Sequence, residues 1–456
     1  MVFNSLTLRN SVKYMDSIKL IARRMSSPRE VKNICMAAAN QIPLPIIPKA
    51  IWDPVSLSSG YPGIVLLFIE LDEKFPNESW DSVVHDYILE IKACLEQGCL
   101  SNQASIFVGL AGVCFSLQKA SKSGVRYKKM LDKLNVMLIE MIEKNHIYQL
   151  KDNFYKKQPS NPFLYDIIVG ISGIAVYIFN NLQFPNFEKT GYKIASLLIQ
   201  LTEKIHVNGN EVSGWYVSAD QQLMKREKDE YPNGCFNMGF SHGISGVLAA
   251  LSLAYEKGIQ IENQKNTILK LATWIIQYRK TVGDRCFWPP YISFEEAAYG
   301  FEAPVVISRD AWCYGAPGIS RALLLAAKAI NCKFLKKTAF EMFDNLLNQR
   351  TQKWNAYSPT FCHGLSGLAQ LTYSMSLEAS PREKLFLIER YKEFADLIFE
   401  GFDEDLPFGF QDIETQIDGS KWKISKAGLL EGSAGILLTL LNPELNSPGW
   451  SSPLFC

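Results

Sequence analysis

Seven segments of the chain repeat one pattern of glycine and apolar residues. Each segment opens with a glycine, two other residues and a second glycine, and continues as a run dominated by Ala, Leu, Ile and Val. The first glycines of these motifs are Gly60, Gly109, Gly170, Gly243, Gly315, Gly364 and Gly432. A single GxxG carries no information, but seven copies that each open a similar run predict seven equivalent structural units.

The stretches between the glycine motifs are amphipathic. In residues 128–145 and 384–402, apolar residues recur at positions i, i+3 and i+4, and charged residues occupy the remaining face. We interpret such stretches as outer helices. The runs after each GxxG are apolar nearly all round, which suits helices that are enclosed on every side. The sequence therefore predicts an all-α fold in which inner helices form a ring and outer helices cover it.

The paired glycines have a steric explanation. They let neighbouring chains approach closely where the inner helices converge, and they permit a positive φ in the preceding turn. This structural role is sufficient for any single glycine. It does not explain why some motifs carry unusual polar residues beside their glycines.

Residues 206–240 depart from the helical pattern. Two Asn-Gly pairs flank a short aromatic and β-branched segment, which predicts a β-hairpin or an ordered loop. Two roles are open for this segment: a solvated insertion without function, or an element that binds peptide.

Composition and charge exclude several classes of protein. The chain has 456 residues, 47% of them hydrophobic and 20% charged, which is typical of a folded soluble protein. With 47 Lys and Arg against 46 Asp and Glu, the net charge of +1 gives no overall attraction to nucleic acid. The sequence has neither a secretory signal nor a membrane-spanning run of ~18 apolar residues. We therefore expect a cytoplasmic protein whose ten cysteines are free thiols.

Cysteine and histidine, residue types that commonly bind metal ions, precede three of the glycine motifs. Two of the five histidines, His242 and His363, come directly before a motif glycine; Cys362 precedes His363, and Cys313 lies two residues before the glycine of its own motif. If the units are equivalent, Cys313, Cys362 and His363 share one rim of the ring. Two thiolates and one imidazole with an open fourth position are typical of a catalytic zinc site. For either cysteine alone, a buried structural thiol is the usual alternative.

This ligand set restricts the chemistry. Zinc binds and deprotonates a thiol readily, and two thiolate ligands leave a bound substrate sulfur electron-rich, which favours a nucleophilic thiolate over a hydrolytic water. Further polar residues near the motifs are candidates for moving protons: Asp166, His242, Arg309 and Tyr314.

Each of these polar residues also has a structural interpretation. Asp166 is a possible helix cap and His242 a possible core imidazole, while Arg309 has an acidic neighbour in Asp310. Glu431, before the last motif glycine, is interpreted as a carboxylate favoured near a helix N-terminus.

The chain resembles the lanthionine synthetase C family, and within it the stand-alone cyclases of class I lantibiotic pathways. The resemblance rests on the seven glycine motifs and on SHG, WCYG and CHG in that order, and it covers the chain after about residue 50. It implies an α/α toroid of seven inner and seven outer helices. We expect one such domain over residues 1–456, with an N-terminal helical segment at 1–50 and an insertion at 206–240.

The resemblance also implies an activity and a set of site residues. Members of the family add peptide cysteines to dehydroalanine or dehydrobutyrine, which gives lanthionine and methyllanthionine rings. Zn²⁺ would be held by Cys313, Cys362 and His363, with His242 and Asp166 handling protons and Arg309 and Tyr314 beside the metal. The expected partners are the dehydrated precursor peptide, a separate dehydratase, and a membrane transporter that would bring the protein to the membrane.

Two other functions are compatible with the sequence. A zinc thiol alkyltransferase, such as a protein prenyltransferase subunit, also activates a thiol on a helical toroid, but those sites use an Asp with one Cys and one His. A non-catalytic member of the same family that binds glutathione or another thiol, or acts as a scaffold, could retain the same zinc ligands.

Overall fold

The computed structural model describes most of the chain: residues 14–41, 51–100, 103–222, 225–301, 304, 306–349, 354, 356–415, 420–442 and 449–456. Residues 1–13 and 42–50, which belong to the expected N-terminal helical segment, lie outside the described residues.

Helices begin directly after the first glycine of each motif, as the sequence predicts. These inner helices are Tyr61–Lys74, Leu110–Ala120, Ile171–Phe179, Ile244–Glu256, Ala316–Ile330, Leu365–Leu377 and Ser433–Leu441. Each inner helix contacts the next one in chain order, and the last contacts the first, so the seven form a closed ring. In the described part of the chain, no helix combines the length and apolar character needed to cross a bilayer.

Six outer helices each pack against the inner helix that precedes them in the chain. They are Trp80–Glu96, Lys128–Ile142, Phe187–Gln200, Gln264–Gln277, Lys333–Leu347 and Pro381–Glu400. The second continues through a π-helical turn, Glu143–Ile147, into Tyr148–Tyr155. The packing of outer helices on inner helices explains the amphipathic pattern, because one face of each outer helix covers the inner ring and the other meets solvent.

The seventh outer position is occupied by the N-terminal helix, residues 14–24. At one end, the ring of Tyr14 packs on Phe399 of the last outer helix, with 4.6 Å between ring centroids. On its other side, Lys19 forms an ion pair with Glu78, just before the first outer helix. The start of the chain therefore closes the outer ring, and the structure confirms the predicted α/α toroid.

Short strands and helices connect these elements. The described residues contain four two-stranded antiparallel sheets: Lys204–Val207 with Asn210–Ser213, Cys235–Asn237 with Tyr291–Ser293, Lys280–Val282 with Arg285–Phe287, and Asp412–Thr415 with Lys421–Ile424. Short helices include Pro28–Met36, Lys225–Glu230 and Phe294–Tyr299, and 3₁₀ turns lie at Ala38–Asn40, Pro162–Leu164, Ala219–Gln221 and Ser452–Leu454.

The predicted hairpin is the first of these sheets. Its turn is Asn208–Gly209, with φ of 50° and 79°, and two positive φ values in an Asn-Gly pair are typical of a type I′ hairpin turn. The irregular region extends further than predicted, however. The helix Lys225–Glu230 lies within the predicted bounds of 206–240, but the region continues to the strand Tyr291–Ser293, because the Cys235–Asn237 strand finds its partner only beyond the fourth outer helix.

The second glycine of each motif serves close packing between neighbouring units. In six motifs, a Cβ on this glycine would lie about 2.7 to 3.1 Å from a side chain of the adjacent unit. The pairs are Gly63 with Leu429, Gly112 with Leu57, Gly173 with Ile106, Gly246 with Ile167, Gly318 with Phe240, and Gly367 with Trp312. The predicted close approach is therefore present.

The expected positive φ is found at only one first glycine. Gly315 has φ of 92°, whereas the other six have extended φ values between −145° and −90°. At those six positions a side chain is excluded because its Cβ would overlap nearby backbone atoms. At Gly60, for example, a Cβ would overlap the carbonyl oxygen of Asp53 at 1.9 Å.

Backbone hydrogen bonds join the loops that precede the inner helices. We call the residues two positions before each motif the inter-repeat belt: Ser58, Phe107, Ile168, Ser241, Cys313, Cys362 and Leu430. Backbone N–H groups at or beside these residues donate to the next unit's carbonyl: Ser58 to Phe107, Ile167 to Ser241, Ser241 to Cys313, Cys313 to Cys362, Cys362 to Leu430, and Leu430 to Ser58. The belt therefore fixes the loops against one another at six of the seven junctions. Among the described loop residues, no such bond joins the second unit to the third.

The interior of the ring is filled by aromatic side chains and by the end of the chain. Trp312 packs against Phe107, Phe240 and Phe361, with centroids 5.7 to 6.1 Å apart. Its indole Nε1 donates to the carbonyl of Leu454 at 2.9 Å. This apolar layer supports the belt from inside the ring.

Candidate active site

The belt explains why the two predicted cysteine ligands meet. Cys313 and Cys362 occupy the same position in neighbouring units, and the N–H of Cys313 donates to the carbonyl of Cys362 at 3.3 Å. Their thiols are hydrogen-bonded to each other, which lowers the pKa of Cys313 and raises that of Cys362. The two thiols are therefore in contact, and their hydrogen bond favours the thiolate form of Cys313 over that of Cys362.

The third predicted ligand, His363, lies beside this thiol pair. Its side chain is 9% exposed, and its Nε2 is 3.3 Å from Oδ1 of Asp412, although the angle leaves Nε2 without a hydrogen bond. Burial opposes a charge on this imidazole, but Asp412 and Cys362 outweigh it and raise the pKa of His363 to about 10. The surroundings therefore favour positive charge at this point.

These residues fit a zinc ion. Ligand atoms of Cys362, His363 and Glu431 lie within 4.8 Å of one another, and Cys313 joins them through its thiol contact with Cys362. Sulfur and imidazole donors are those that zinc prefers. The buried Nε2 without a partner and the local preference for positive charge are what a divalent cation would satisfy.

A buried lysine holds the acidic residues around His363, which the sequence did not reveal. Lys426 is 6% exposed and donates to Asp412 at 2.7 Å, Glu431 at 2.9 Å and Glu414 at 3.3 Å. Asp412 lies in a β-hairpin that is not part of the repeated pattern. Its distance from the glycine motifs therefore gave no reason to select it. Glu431 did carry a signal, because it occupies the same position before its motif as His242 and His363 do. The interpretation of Glu431 as a carboxylate favoured near a helix N-terminus is therefore incomplete, because its side chain also pairs with Lys426.

His242 and Asp166 form a pair. His242 Nδ1 donates to Oδ2 of the fully buried Asp166 at 2.6 Å. The other carboxylate oxygen accepts from the N–H groups of Val169 and Gly170, both at 2.7 Å. These bonds close the turn before the inner helix and are not a helix cap, because Gly170 is the N-cap of Ile171–Phe179 and no side chain caps that helix. The same carboxylate also orients the imidazole. With Nδ1 engaged, Nε2 is the nitrogen left for other partners.

Arg309 and Tyr314 also lie near the thiols. The positive charge of Arg309 contributes to the lowered pKa of Cys313, after the hydrogen bond from Cys362. Asp310 is engaged by a different arginine, since it accepts from Arg285 at 2.8 and 2.9 Å. Burial raises the pKa of Tyr314, which keeps its hydroxyl protonated.

The site residues open onto a common cavity of about 670 Å³. Six of the seven residues predicted from the sequence line it: Cys313, Cys362, His363, His242, Arg309 and Tyr314. Asp166 lies behind His242 and acts on the cavity through it. The volume is in the range of sites that enclose a small molecule or a few residues of a peptide.

Comparisons with known proteins agree with this fold. The family model described as lanthionine synthetase C-like protein matches residues 51–454. The nisin biosynthesis protein NisC of Lactococcus lactis subsp. lactis is 25% identical over 408 residues, covering 88% of this chain and 88% of NisC. A solved structure of nisin cyclase matches with a TM-score of 0.74 at 25% identity, covering 88% of this chain and 92% of that chain. Because the family model spans nearly the whole described toroid, the chain belongs to the lanthionine synthetase C-like family.

Proposed function

We propose that the protein is a zinc-dependent lantibiotic cyclase, which adds cysteine thiols to dehydroalanine and dehydrobutyrine in a dehydrated precursor peptide. The main support is one observation: a cavity that carries the thiol pair Cys313–Cys362, the imidazole of His363 and the pair His242–Asp166. The similarity to nisin cyclase agrees with it. Class I precursors receive their dehydroamino acids from a separate dehydratase, so this protein would act after it.

Cys313, Cys362 and His363 are the proposed metal ligands. Zinc held there would act as a Lewis acid with a fourth position at which a substrate thiol loses its proton easily. The belt keeps the backbones of Cys313 and Cys362 in place, so the ligands need little rearrangement. Asp412 lies beside His363 and is itself held by the ion pair with Lys426.

The reaction moves one proton and releases nothing. A C–S bond forms at the β-carbon of the dehydroamino acid, and a C–H bond forms at its α-carbon, while the thiol proton is lost. His242 is the proposed acid–base group, because Asp166 orients its Nδ1 and leaves Nε2 for the proton. Arg309 and Tyr314 are proposed to stabilise the negative charge that develops on the carbonyl oxygen of the dehydroamino acid.

Thiol loss is the measurement that tests this function. We expect purified, zinc-loaded protein to convert a synthetic peptide with one dehydroalanine and one cysteine into a product that iodoacetamide no longer alkylates. The mass of the peptide itself stays constant, since cyclisation is mass-neutral. A peptide with serine in place of dehydroalanine is the control and should keep its thiol.

The same assay separates the alternative functions. Binding of glutathione or peptide thiol without any thiol loss would favour the non-catalytic member of the family. A mass increase after addition of a prenyl diphosphate would favour a thiol alkyltransferase. Either result with folded, zinc-loaded wild-type protein would overturn the cyclase proposal.

We further propose that the protein associates with a dehydratase, and through a transporter with the membrane. Affinity-tagged protein should retain the dehydratase from the same biosynthetic gene cluster when the precursor peptide is present. Repeated failure at low salt, where electrostatic contacts are strongest, would contradict a stable complex.

A further inference from the structure

The hydroxyl of Tyr314 is hydrogen-bonded by a residue of the strand Cys235–Asn237, which lies outside the inner and outer helices. Asn237, in the strand Cys235–Asn237, donates from Nδ2 to the oxygen of Tyr314 at 3.0 Å. On the other side of its amide, Asn237 Oδ1 accepts from the N–H of Gly239 at 2.8 Å. Because a backbone N–H can only donate, the oxygen of this amide must face Gly239 and its NH₂ group must face Tyr314.

This arrangement decides where the hydroxyl hydrogen of Tyr314 points. The Tyr314 oxygen already accepts from Asn237, so its own hydrogen is directed elsewhere. Tyr291 is the neighbouring hydroxyl, but the two oxygens are 3.5 Å apart, beyond the usual 2.5–3.0 Å of an O–H···O bond. Tyr291 instead donates to Glu227 at 2.7 Å. The Tyr291 oxygen remains an acceptor at 3.5 Å, a distance at which a hydrogen bond is weak. The Tyr314 hydrogen is therefore available to a closer acceptor in the cavity that this residue lines.

The tyrosine ring is also fitted closely to this region. A Cβ at position 239 would lie 2.5 Å from Cε1 of Tyr314, so only glycine lets the strand and its following loop approach the ring. Position and hydrogen-bond direction are thus fixed by the same three-residue segment, Asn237 to Gly239.

We propose that Asn237 is a positioning residue that aims the Tyr314 hydroxyl into the cavity as a donor to the carbonyl oxygen of the dehydroamino acid. The inference rests on the proposed cyclase function and extends it. It also assigns a role to the irregular segment between the third and fourth units, for which a solvated insertion and a peptide-binding element were open. In this assignment the segment forms part of the active-site wall.

Asn237→Asp is the variant that tests the direction of the hydrogen bond. The new carboxylate keeps the acceptor for Gly239 but replaces the NH₂ donor by a second acceptor, which captures the Tyr314 hydrogen. We expect kcat for thiol loss to fall at least ~10-fold, with KM within a few-fold of wild type and unchanged zinc content. Tyr314→Phe, which leaves Asn237 intact, should lower kcat by about 100-fold, the usual scale for one oxyanion donor.

A double-mutant cycle separates positioning from general damage. If Asn237 acts through Tyr314, Asn237→Asp should cause little further loss in a Tyr314→Phe background, because the hydroxyl it redirects is absent. The matched control is Asn210→Asp, since Asn210 donates to the hydroxyl of Tyr299 at 2.9 Å in the same region without lining the cavity. That variant should retain wild-type kcat.

Three outcomes would overturn the inference. They are a Tyr314→Phe variant within a few-fold of wild-type kcat, losses that multiply in the double variant, and an Asn237→Asp variant with unchanged kcat. The first of these holds even if the Asn237 variants fold poorly, as judged by circular dichroism. An inactive wild-type protein would instead contradict the proposed function itself.

Discussion

His242→Ala is expected to cyclise a dehydrated precursor at least ~100-fold more slowly than the wild type, while it keeps its zinc and its affinity for the precursor. The addition leaves an enolate whose α-carbon must receive a proton, and an imidazole changes its protonation near neutral pH. In the structure His242 is held through Nδ1 by Asp166 and lines the same cavity as the proposed metal ligands. Its Nε2 is therefore placed to move a proton there.

The measurement is the single-turnover rate of thiol loss, with metal content and precursor binding determined on the same sample. His85→Ala is a suitable control, because His85 is an exposed imidazole on the first outer helix that contacts Tyr127. A His242→Ala rate within a few-fold of wild type would refute the proton-transfer role. Loss of zinc from this variant would place His242 in the metal shell, and the ligand set would need revision.

Separate replacement of Cys313, Cys362 and His363 by alanine is expected to abolish or greatly weaken zinc binding, from about one zinc per chain. A site reduced to two protein ligands seldom holds zinc tightly. The fold should survive each change, because the core consists of the seven inner helices and their outer partners. The belt contacts of Cys313 and Cys362 are made by backbone atoms, which an alanine retains.

Elemental analysis after gel filtration gives the zinc content, and far-ultraviolet circular dichroism reports the helices. Cys99→Ala provides the control, since Cys99 is exposed and free; it should bind zinc like the wild type. Unchanged zinc in all three ligand variants would sink the metal assignment. Loss of helical signal together with zinc would point to a structural metal.

The sequence predicted the ring and much of the site, because both depend on position within a repeat. Cys313 and Cys362 were expected to meet since each lies two residues before its motif, and the belt places those two positions side by side. The pairing of His242 with Asp166 crosses from one unit to the next. The sequence supplied both residues as candidates, and the family resemblance gave both a proton-handling role in which Asp166 would orient His242 or stabilise its charged form. The structure shows the hydrogen bond between them.

Other parts of the site come from elements that do not repeat. Asp412 reaches His363 from a β-hairpin, and Lys426, in the loop after it, holds Asp412 in place. Asn237 reaches Tyr314 from a short strand. Such contacts depend on how irregular segments fold back over the ring, and no periodic pattern encodes that. The N-terminal helix is a similar case, because its place is fixed by partners at the far end of the chain, such as Phe399.

The closed ring of inner helices also separates this architecture from open helical solenoids. An open array needs special terminal units to cover its two ends, and each internal unit sees only its two neighbours. Here the bond from Leu430 to Ser58 joins the last unit to the first, so every unit is internal and none has to serve as a cap. The residue before each motif can then differ from unit to unit, as Ser59, His242, Tyr314, His363 and Glu431 do. In such a ring, the residue before a motif can change in one unit while the helices of the other units stay as they are. Different reactive side chains can therefore be placed around the same opening.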